Sequence, residues 1–396
     1  KNSIGGEGDM NNGSASGRRA CLYLGTIASL IGLTIAASMN SLHGLWLSMI
    51  PGALLQHNFE VYKALLSEYH NDIEELEIQA KDSSGEENEN GDSKQSPASN
   101  RSGSVGKLGM SVGISFMIGP MIAAVASPTF QFASYFAIVC TLASVVFVYH
   151  LPLPVSSAHT HHEKTSHETK PTQQKKTEFT LINMLKLKTP KSRAAMFCLV
   201  IRLNMALAFH IFNTVWPASL KTRFNFGPTD HARFMSFIGV TYAFSQGYLA
   251  KRLVHMWGKD GKTFVIMACC AVLGAGRYIA YYTESLIVIY ATFLFIINAL
   301  GTMNTVITAD TGAIAPSNEV GGLFGILEAS QSAAGMVGPF LGGLISHYLG
   351  EDAPLIAVVA VYGFLFSFIS WGYERYVISS DNDDGKPGRT EVKKSI

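Results

Sequence analysis

Ten long apolar stretches dominate this 396-residue sequence and restrict what it can fold into. An α-helix rises about 1.5 Å per residue, so about 20 residues cross the ~30 Å hydrocarbon core of a bilayer. In hydrocarbon, every backbone N–H and C=O group must be bonded within the protein, and a helix achieves this. We therefore predict an all-α, polytopic membrane protein. The ten predicted spans are residues 20–39, 42–66, 106–126, 130–151, 194–220, 232–250, 262–282, 286–309, 321–348 and 354–376.

The composition agrees with a membrane protein. Charged residues make up 15% of the chain, whereas about 25% is usual in soluble domains. A soluble all-helical protein with unusually long buried helices is the alternative class. The five cysteines lie within apolar stretches, which indicates core residues rather than disulfides or metal ligands. The net charge of +1 does not indicate a nucleic-acid partner, and we expect none.

Two polar segments divide the chain. Residues 71–103 carry nine acidic and three basic residues, too polar to offset the entropy of ordering, so we predict that this insertion is disordered. The Thr-, Lys- and His-rich segment 152–192 is predicted to be a central loop. The predicted domains are an incomplete N-terminal helix bundle (1–151), the cytoplasmic central loop (152–192), a C-terminal six-helix bundle (193–378) and a cytoplasmic tail (379–396).

The distribution of Lys and Arg predicts the orientation in the membrane. If the N-terminus is cytoplasmic, the loops on that side, counted with the two outermost residues of each adjoining span, hold 24 of the 30 Lys and Arg residues. The opposite loops, counted in the same way, hold three. Cytoplasmic loops carry an excess of these residues. Both termini are therefore predicted to be cytoplasmic, in a plasma membrane or an endomembrane.

A glycine-rich stretch, GMVGPFLGGLI at 335–345, would weaken a soluble helix, because each Gly costs about 1 kcal/mol and Pro about 3 kcal/mol relative to Ala. In a membrane, small residues let two helices approach closely. The stretch FMIGPMIAAV at 116–125 repeats the Gly-Pro pair. We predict contacts between helices that move during gating, with a static packing surface as the alternative. The residues concerned are Gly119, Pro120, Gly335, Gly338, Pro339 and Gly342.

These Gly-Pro pairs resemble those that mark antiporters of the major facilitator superfamily. GRRACLYLG at 17–25 and GYLAKRL at 247–253 resemble the family's loop motif and its second-half counterpart. LSMIPGALLQH at 47–57 resembles the tetracycline-resistance-like drug–proton antiporter branch, and within it the organic-cation-transporter-like orphan members. The resemblance implies the major facilitator fold, with about ten helices that correspond to family helices three to twelve. Helices one and two are then expected upstream of Lys1, in an N-terminally truncated chain.

Two positions depart from that family pattern. Ser14 and Ala15 stand where the loop motif usually has Asp-Arg, which forms a gating salt bridge. Met49 stands where the fourth helix often carries an arginine used in proton coupling. We therefore predict neither role for these positions.

Polar residues inside the spans are candidates for a substrate or proton pathway, because a charge at mid-bilayer costs about 2.5–3.5 kcal/mol on insertion scales. At about 100° per residue, His210 and Asn213 lie on roughly the same side of their helix as Arg202. This stripe suits an anionic or hydrogen-bonding substrate, and His210 suits a proton carrier near neutral pH. The alternative is that Arg202 extends to the cytoplasmic interface and His210 bonds a carbonyl group.

Glu328 and Gln331 form a second polar stripe, on the glycine-rich helix. Loss of water favours the protonated form of a carboxyl group, so Glu328 is a candidate for a proton or cation site. Its alternative is a pairing with a basic loop residue. Asp310 lies at a cytoplasmic helix end and is either a loop-facing charge or a gate partner of Lys251 or Arg252.

Two more stripes of polar side chains lie on the spans 232–250 and 286–309. They consist of Tyr242 and Gln246 on the first span, and Asn298 and Thr302 on the second. Both stripes are predicted to line a substrate or proton pathway. The alternative is local, because polar side chains in helices often bond only their own backbone.

The leading hypothesis is secondary active transport of a small organic molecule, drug-like or an organic cation, by proton-coupled antiport and alternating access. The second is a transporter-like scaffold or receptor that does not transport and uses the acidic insertion and central loop as binding platforms. Catalytic motifs are not recognisable, so we predict no enzymatic activity. We also predict no cofactor and no metal site, because the His-rich run at 159–168 contains no cysteine and lies in a flexible segment. Protein partners are not predicted.

Overall fold

The structure, a computed structural model, describes residues 9–39, 41–55, 58, 61–62, 65, 97–126, 129–151, 184, 187, 189–314 and 320–378. Ten α-helices account for almost all of them. They are α1 (Asp9–Ser38), α2 (Leu42–Leu55), α3 (Pro97–Ala126), α4 (Phe130–His150), α5 (Pro190–Phe224), α6 (Pro228–Phe244), α7 (Ala250–Tyr282), α8 (Leu286–Ile314), α9 (Val320–Leu349) and α10 (Ala353–Tyr373). A π-helical turn, Ser245–Leu249, joins α6 to α7, and a second one, Glu374–Ile378, follows α10.

Seven helices within the described ranges are long and apolar enough to cross a membrane. The predicted span 232–250 coincides with α6 and the π-helical turn that follows it, and the predicted span 321–348 coincides with α9. The all-α fold predicted from the sequence is thereby confirmed. The seven spans are Arg19–Ser38, Gly106–Val125, Phe130–His150, Pro190–Phe224, Gly261–Tyr282, Leu286–Ile314 and Ala353–Ile378.

The start of α3 overlaps the end of the predicted disordered insertion. Residues 97–103 form the first turns of this helix. Proline is tolerated at the first helical position because its missing N–H would have no partner there in any case. The rest of the insertion (71–96), most of the central loop (152–183) and the tail (379–396) lie outside the described residues.

Side-chain and backbone signals account for several helix ends. Thr189 accepts a hydrogen bond from the backbone N–H of Ser192 at 3.1 Å and caps the start of α5. Thr129 caps α4 in the same way, accepting from the N–H of Phe132 at 3.3 Å. Asn225 follows α5 with φ 52°, a left-handed conformation that Asn adopts more readily than most side chains.

The described residues fall into two compact units. The first is drawn from residues 1–94 and 119–176, and the second from residues 95–118 and 177–396. In the first unit, α1 packs against both α2 and α4. Nη2 of Arg19 donates a hydrogen bond to the carbonyl oxygen of Leu151, just beyond α4, at 2.6 Å.

Most of the hydrophobic core lies in the second unit, where α5 packs against α9 and α10, and α8 packs against α6 and α7. Aromatic rings fill the space between α5, α6 and α8. Trp216 stacks on Phe212 and Phe293 with ring centroids 5.2 and 4.9 Å apart, and Phe234 meets Phe293 edge to face at 4.9 Å. Such pairs contribute about 0.5–1.5 kcal/mol each beyond their buried area.

The first part of α3 belongs to the second unit, because glycines bring its backbone close to α6. A Cβ atom at Gly113 would lie 2.5 Å from the backbone nitrogen of Ala243, and Gly239 directly faces the backbone of Met117. Ser236 Oγ donates a hydrogen bond to the carbonyl oxygen of Met117 at 2.6 Å. The sequence-based division at residue 151 did not anticipate this packing, which depends on small residues in both helices.

Two irregularities of the backbone flank residues 250–257. The π-helical turn ends at Leu249, and Gly258 interrupts α7 with φ 64° and ψ −166°, a conformation that only glycine adopts readily. Isolated π-helical turns occur frequently at functional sites. This one lies at the junction of α6 and α7.

Candidate functional site

Arg202 lies in the interior of α5 and has only 6% of its surface exposed. Its Nη1 donates a hydrogen bond to Oδ1 of Asn304 at 2.7 Å, and its Nη2 donates one to Oγ1 of Thr308 at 2.6 Å. Both acceptors belong to α8. Hydrogen bonds from a charged donor are worth about 1.5–3 kcal/mol each. The guanidinium group is therefore directed towards α8 and not along α5 to the membrane interface.

Tyr242 extends these contacts to a third helix. Nδ2 of Asn304 donates a hydrogen bond to the hydroxyl oxygen of Tyr242, on α6, at 3.3 Å. We call the four connected residues Arg202, Tyr242, Asn304 and Thr308 the Arg202 cluster. It joins α5, α6 and α8, so a displacement of any one of these helices would alter its hydrogen bonds.

Sequence reasoning identified Arg202 and Tyr242 but missed their partners. Asn304 and Thr308 are four residues apart and therefore share one face of α8, which is the available signal. This face is rotated away from the one that carries Asn298. A buried arginine requires polar partners, but hydropathy alone does not indicate which helix supplies them.

His210 and Asn213 lie apart from the Arg202 cluster. His210 is half-buried against α9, where a Cβ atom at Gly335 would lie 3.3 Å from its Nε2. Asn213 is exposed. Arg202 and His210 point about 80° apart around α5, which is enough to direct one to α8 and the other to α9. The predicted stripe is therefore divided between two neighbours of α5.

The glycine-rich part of α9 packs against α5 within the second unit. A Cβ atom at Gly338 would lie 2.6 Å from Cβ of His210, and one at Gly342 would lie 3.4 Å from Cβ of Thr214. Pro339 is exposed. The glycines therefore allow the α9 backbone to approach the side chains of α5 closely.

The first copy of the Gly-Pro pair has different surroundings. Gly119 lies on α3, and a Cβ atom there would meet no atom within 4 Å in the part of the chain that the structure describes. Pro120 is half-buried. Of the two sequence repeats, only the one on α9 is therefore seen in close helix packing.

The two predicted stripes on α6 and α8 meet at the π-helical turn. Gln246 and Thr302 are buried, and Ser245 Oγ donates a hydrogen bond to the backbone oxygen of Asn298 at 2.7 Å. The side-chain amide of Gln246 occupies the space that a Cβ atom at Gly109 would need. The structure thus brings these residues together where α3, the π-helical turn and α8 meet.

Glu328 and Gln331 lie together on α9, as their spacing predicts. Nε2 of Gln331 donates a hydrogen bond to Oε2 of Glu328 at 3.0 Å, and both side chains are half-buried. The amide thus stabilises a carboxylate within an apolar helix.

Asp310, for which the sequence left open a loop-facing charge or a gate partner of Lys251 or Arg252, forms a buried ion pair with Lys262. Nζ of Lys262, on α7, lies 2.7 Å from Oδ1 of Asp310, and the hydroxyl of Tyr373 donates to Oδ2 at 2.5 Å. In this structure the basic partner of Asp310 is therefore Lys262, and not Lys251 or Arg252. The side chains of Lys262, Asp310 and Tyr373 are all buried.

Arg277, on α7, is a second buried arginine, with 2% of its surface exposed. Its Cζ lies 5.2 Å from the ring centroid of Phe212 and 4.8 Å from that of Tyr362. Its Nη1 donates to the carbonyl oxygen of Leu273, one turn earlier, at 3.0 Å. Between described residues it forms no ion pair with a carboxylate. Aromatic rings therefore provide most of its surroundings.

A cavity of about 470 Å³ lies in the first unit between α1, α2 and α4. Its lining combines small and hydroxylated residues, including Gly32, Ser29, Ser48 and Thr141. Met49 also lines the cavity. It stands at the position where the similar family often carries an arginine. The cavity therefore has no charged side chain among its described lining residues.

Potential metal ligands are scattered over the described ranges. These ranges contain no group of three or more His, Cys, Asp or Glu side chains placed to hold a metal ion. The His-rich run at 159–168 lies outside them.

Comparison with protein families identifies the group to which this bundle belongs. A sequence profile of the Major Facilitator Superfamily matches residues 93–312, which is more than half of the chain. The chain belongs to the Major Facilitator Superfamily. Members of this superfamily are membrane transporters, so the chain is a multi-pass membrane protein of a transporter family rather than of an enzyme family.

The fold of this superfamily member is similar to that of a solved transporter. The crystal structure of the human organic anion transporter MFSD10 (TETRAN) matches with a TM-score of 0.67 and 14% sequence identity, covering 89% of this chain and 77% of that chain. At this identity the similarity supports the fold alone. No curated protein sequence matched the chain. The superfamily and the fold predicted from the sequence are both confirmed.

Proposed function

We propose that the protein is a secondary active transporter that moves a small organic molecule by alternating access, with the Arg202 cluster on its transport path. The observation that carries this proposal is a buried guanidinium group hydrogen-bonded across two helices within a membrane-spanning bundle. Ionisable groups at such positions are expensive and typically mark substrate or ion pathways. The cluster is also sensitive to helix movement, because it connects α5, α6 and α8.

The charge of Arg202 favours a substrate with an anionic or hydrogen-bond-accepting group. Guanidinium groups recognise carboxylates through paired N–H donors. MFSD10, which is similar in fold, is an organic anion transporter. The sequence resemblance to drug–proton antiporters instead suggests a drug-like molecule or an organic cation. We favour the anion because Arg202 is the buried charge at the centre of the cluster.

We further propose that transport is coupled to protons in antiport, and that Glu328 takes up the proton. Its carboxylate is half-buried in α9 and accepts a hydrogen bond from Gln331. The glycines that follow this pair along α9 pack against His210 and its neighbours on α5. The close packing at Gly335, Gly338 and Gly342 suits a contact along which α9 moves relative to α5. The excess of Lys and Arg on one side supports cytoplasmic termini.

The test is transport by the full-length protein reconstituted in liposomes that contain a pH-sensitive dye. A proton gradient is imposed, and organic anions, organic cations and neutral drugs are added separately. We expect proton movement with at least one organic anion, and its loss in Glu328→Gln and Arg202→Gln. Glu351→Gln and Arg233→Gln, which alter exposed charges, serve as matched controls.

Each outcome assigns a different function. Movement of cations alone would overturn the anion proposal, and substrate flux without proton movement would overturn proton antiport. No flux from folded protein with any compound would support the scaffold hypothesis. In that case, deletion of residues 71–96 would be expected to abolish binding of a partner protein.

A further inference from the structure

Two side-chain oxygens in the middle of α8 are enclosed by protein and have no hydrogen-bond partner among the residues that the structure describes. They are Oδ1 of Asn298 and Oγ1 of Thr302. Thr302 has 1% of its surface exposed. The residues are four positions apart, so their side chains lie next to each other on one face of the helix. The pair therefore forms a small patch of unsatisfied acceptors near the centre of a membrane span.

The usual local partners of both side chains are already engaged. The Nδ2 atom of Asn298 donates to the carbonyl oxygen of Leu294 at 2.7 Å, which directs Oδ1 away from its own helical turn. A threonine in a helix commonly donates to the carbonyl oxygen four residues earlier. For Thr302 that atom belongs to Asn298, and it accepts a hydrogen bond from Ser245 Oγ at 2.7 Å.

The π-helical turn forms the opposite wall of this patch. A Cβ atom at Gly301 would lie 2.5 Å from Ser245 Oγ and 3.4 Å from Cγ of Gln246. Gly301 lies between Asn298 and Thr302, so the π-helical turn covers the same part of α8. Gln246 in turn fits against Gly109 of α3. The patch is thus a built site at the junction of three helices, and small residues on two of them make room for it.

Leaving such oxygens unsatisfied costs free energy, because each loses its hydrogen bond to water and gains none in return. The cost is greater in the hydrocarbon region, where water is scarce. Asn298 as a residue is only half-buried, so the patch lies close to an accessible surface. Its chemistry is also specific, because Oδ1 of Asn298 can only accept a hydrogen bond and the hydroxyl of Thr302 beside it can accept a second one.

We propose that Asn298 and Thr302 accept hydrogen bonds from an N–H or O–H group of the transported molecule. The site would then discriminate between a hydroxyl, amide or amine and the corresponding fully methylated group. This inference rests on the proposed transport function and adds a second recognition point to the anionic or accepting group facing Arg202.

The test compares two pairs of probes that differ only in the donor. The pairs are 4-hydroxybenzoate with 4-methoxybenzoate, and phenethylamine with its N,N,N-trimethyl derivative. Competition by each probe is measured against the best substrate found in the liposome assay, using the full-length protein. A single hydrogen bond of about 1 kcal/mol corresponds to about a fivefold difference in affinity. We expect the donor-bearing member of at least one pair to compete about fivefold better.

The decisive variant is Thr302→Val, which removes the hydroxyl with little change in shape. It should abolish the preference for the donor. The matched control is Thr305→Val, since Thr305 is equally buried but donates to the carbonyl oxygen of Gly301 at 3.0 Å. This control should retain the preference. Without substrate, Thr302→Val should unfold at the same temperature as the unmodified protein or slightly higher, whereas Thr305→Val should unfold at a lower temperature.

Three results would overturn the inference. Equal competition by both members of each pair would do so while leaving the transport proposal intact. So would a preference that survives in Thr302→Val. A lower unfolding temperature of Thr302→Val together with unchanged selectivity would assign the patch to a resident water molecule. Absence of any substrate flux from folded protein would instead overturn the transport proposal, and the subsite with it.

Discussion

Two buried arginines in the second unit illustrate different ways to place a positive charge inside a helix bundle. Arg202 donates hydrogen bonds to Asn304 and Thr308 on another helix. Arg277 lies between two aromatic rings and bonds a carbonyl oxygen of its own helix. The first arrangement depends on the relative position of two helices and on directional bonds. The second depends mainly on broad contacts with ring faces, which tolerate displacement better.

This difference suggests separate roles. Removing Arg202 would leave the amide of Asn304 and the hydroxyl of Thr308 without their charged donor. Removing Arg277 would leave two aromatic rings and a carbonyl oxygen that also takes part in the backbone hydrogen bonds of its helix. We therefore expect Arg202 to matter for both stability and transport, and Arg277 mainly for packing.

The largest effect is expected from the buried ion pair of Lys262 and Asp310. Lys262→Met would leave the Asp310 carboxylate buried and held only by Tyr373, which costs about 3–5 kcal/mol. Thermal unfolding in detergent should show a large decrease in midpoint temperature. Lys221→Met, at an exposed position, is the control. Asp310→Leu combined with Lys262→Met should recover much of the loss, and a failure to recover would show that the charge itself is required.

Methionine at each arginine tests the comparison directly. Arg202→Met should cost about 3 kcal/mol, since charged hydrogen bonds are lost and two polar groups remain unsatisfied. It should also reduce substrate uptake by at least about tenfold, or about 1.4 kcal/mol in the rate-limiting free energy.

Arg277→Met loses cation–π contacts worth about 0.5–2 kcal/mol but also avoids burying a charge. We expect an unfolding temperature close to that of the unmodified protein and uptake within about twofold of it. Equal losses of uptake in the two variants would contradict the proposed separation of roles.

The smallest effect is expected at the edge of the Arg202 cluster. Tyr242→Phe removes only the hydroxyl that accepts from Asn304 at 3.3 Å, a long bond worth about 0.5–1 kcal/mol. The unfolding temperature should fall slightly, and uptake should decrease by about two- to fivefold if the tyrosine holds Asn304 in place for Arg202. Unchanged uptake would confine the functional cluster to α5 and α8.

The sequence allowed accurate prediction of the elements and much less of their contacts. Apolar length alone predicted the helices, since crossing hydrocarbon leaves few other conformations. Arg202 could be identified because a charge in an apolar stretch is costly wherever it lies. Its partners could not, because their identity depends on which face of α8 meets α5.

The other differences between the sequence-based predictions and the structure also have physical explanations. The position of Asp310 at a cytoplasmic helix end suggested the nearby basic residues Lys251 and Arg252 as partners, whereas Lys262, beyond the kink at Gly258, forms the pair. The glycines of α3 at 106, 109 and 113 lack the adjacent proline that makes the glycine-rich part of α9 conspicuous. The composition of residues 97–103 is hidden when it is averaged with that of the acidic segment before them.

The irregularities on both sides of residues 250–257 have a mechanical consequence. A π-helical turn can revert to α-helix by displacing one residue, which turns the following segment by about 100°. The glycine at position 258 interrupts the helix in the path of that rotation, since its φ and ψ angles are not helical. Residues 250–257 thus form a short helical segment with an irregular backbone at each end. We expect a change at the π-helical turn to redirect Lys251 and Arg252, which this segment carries.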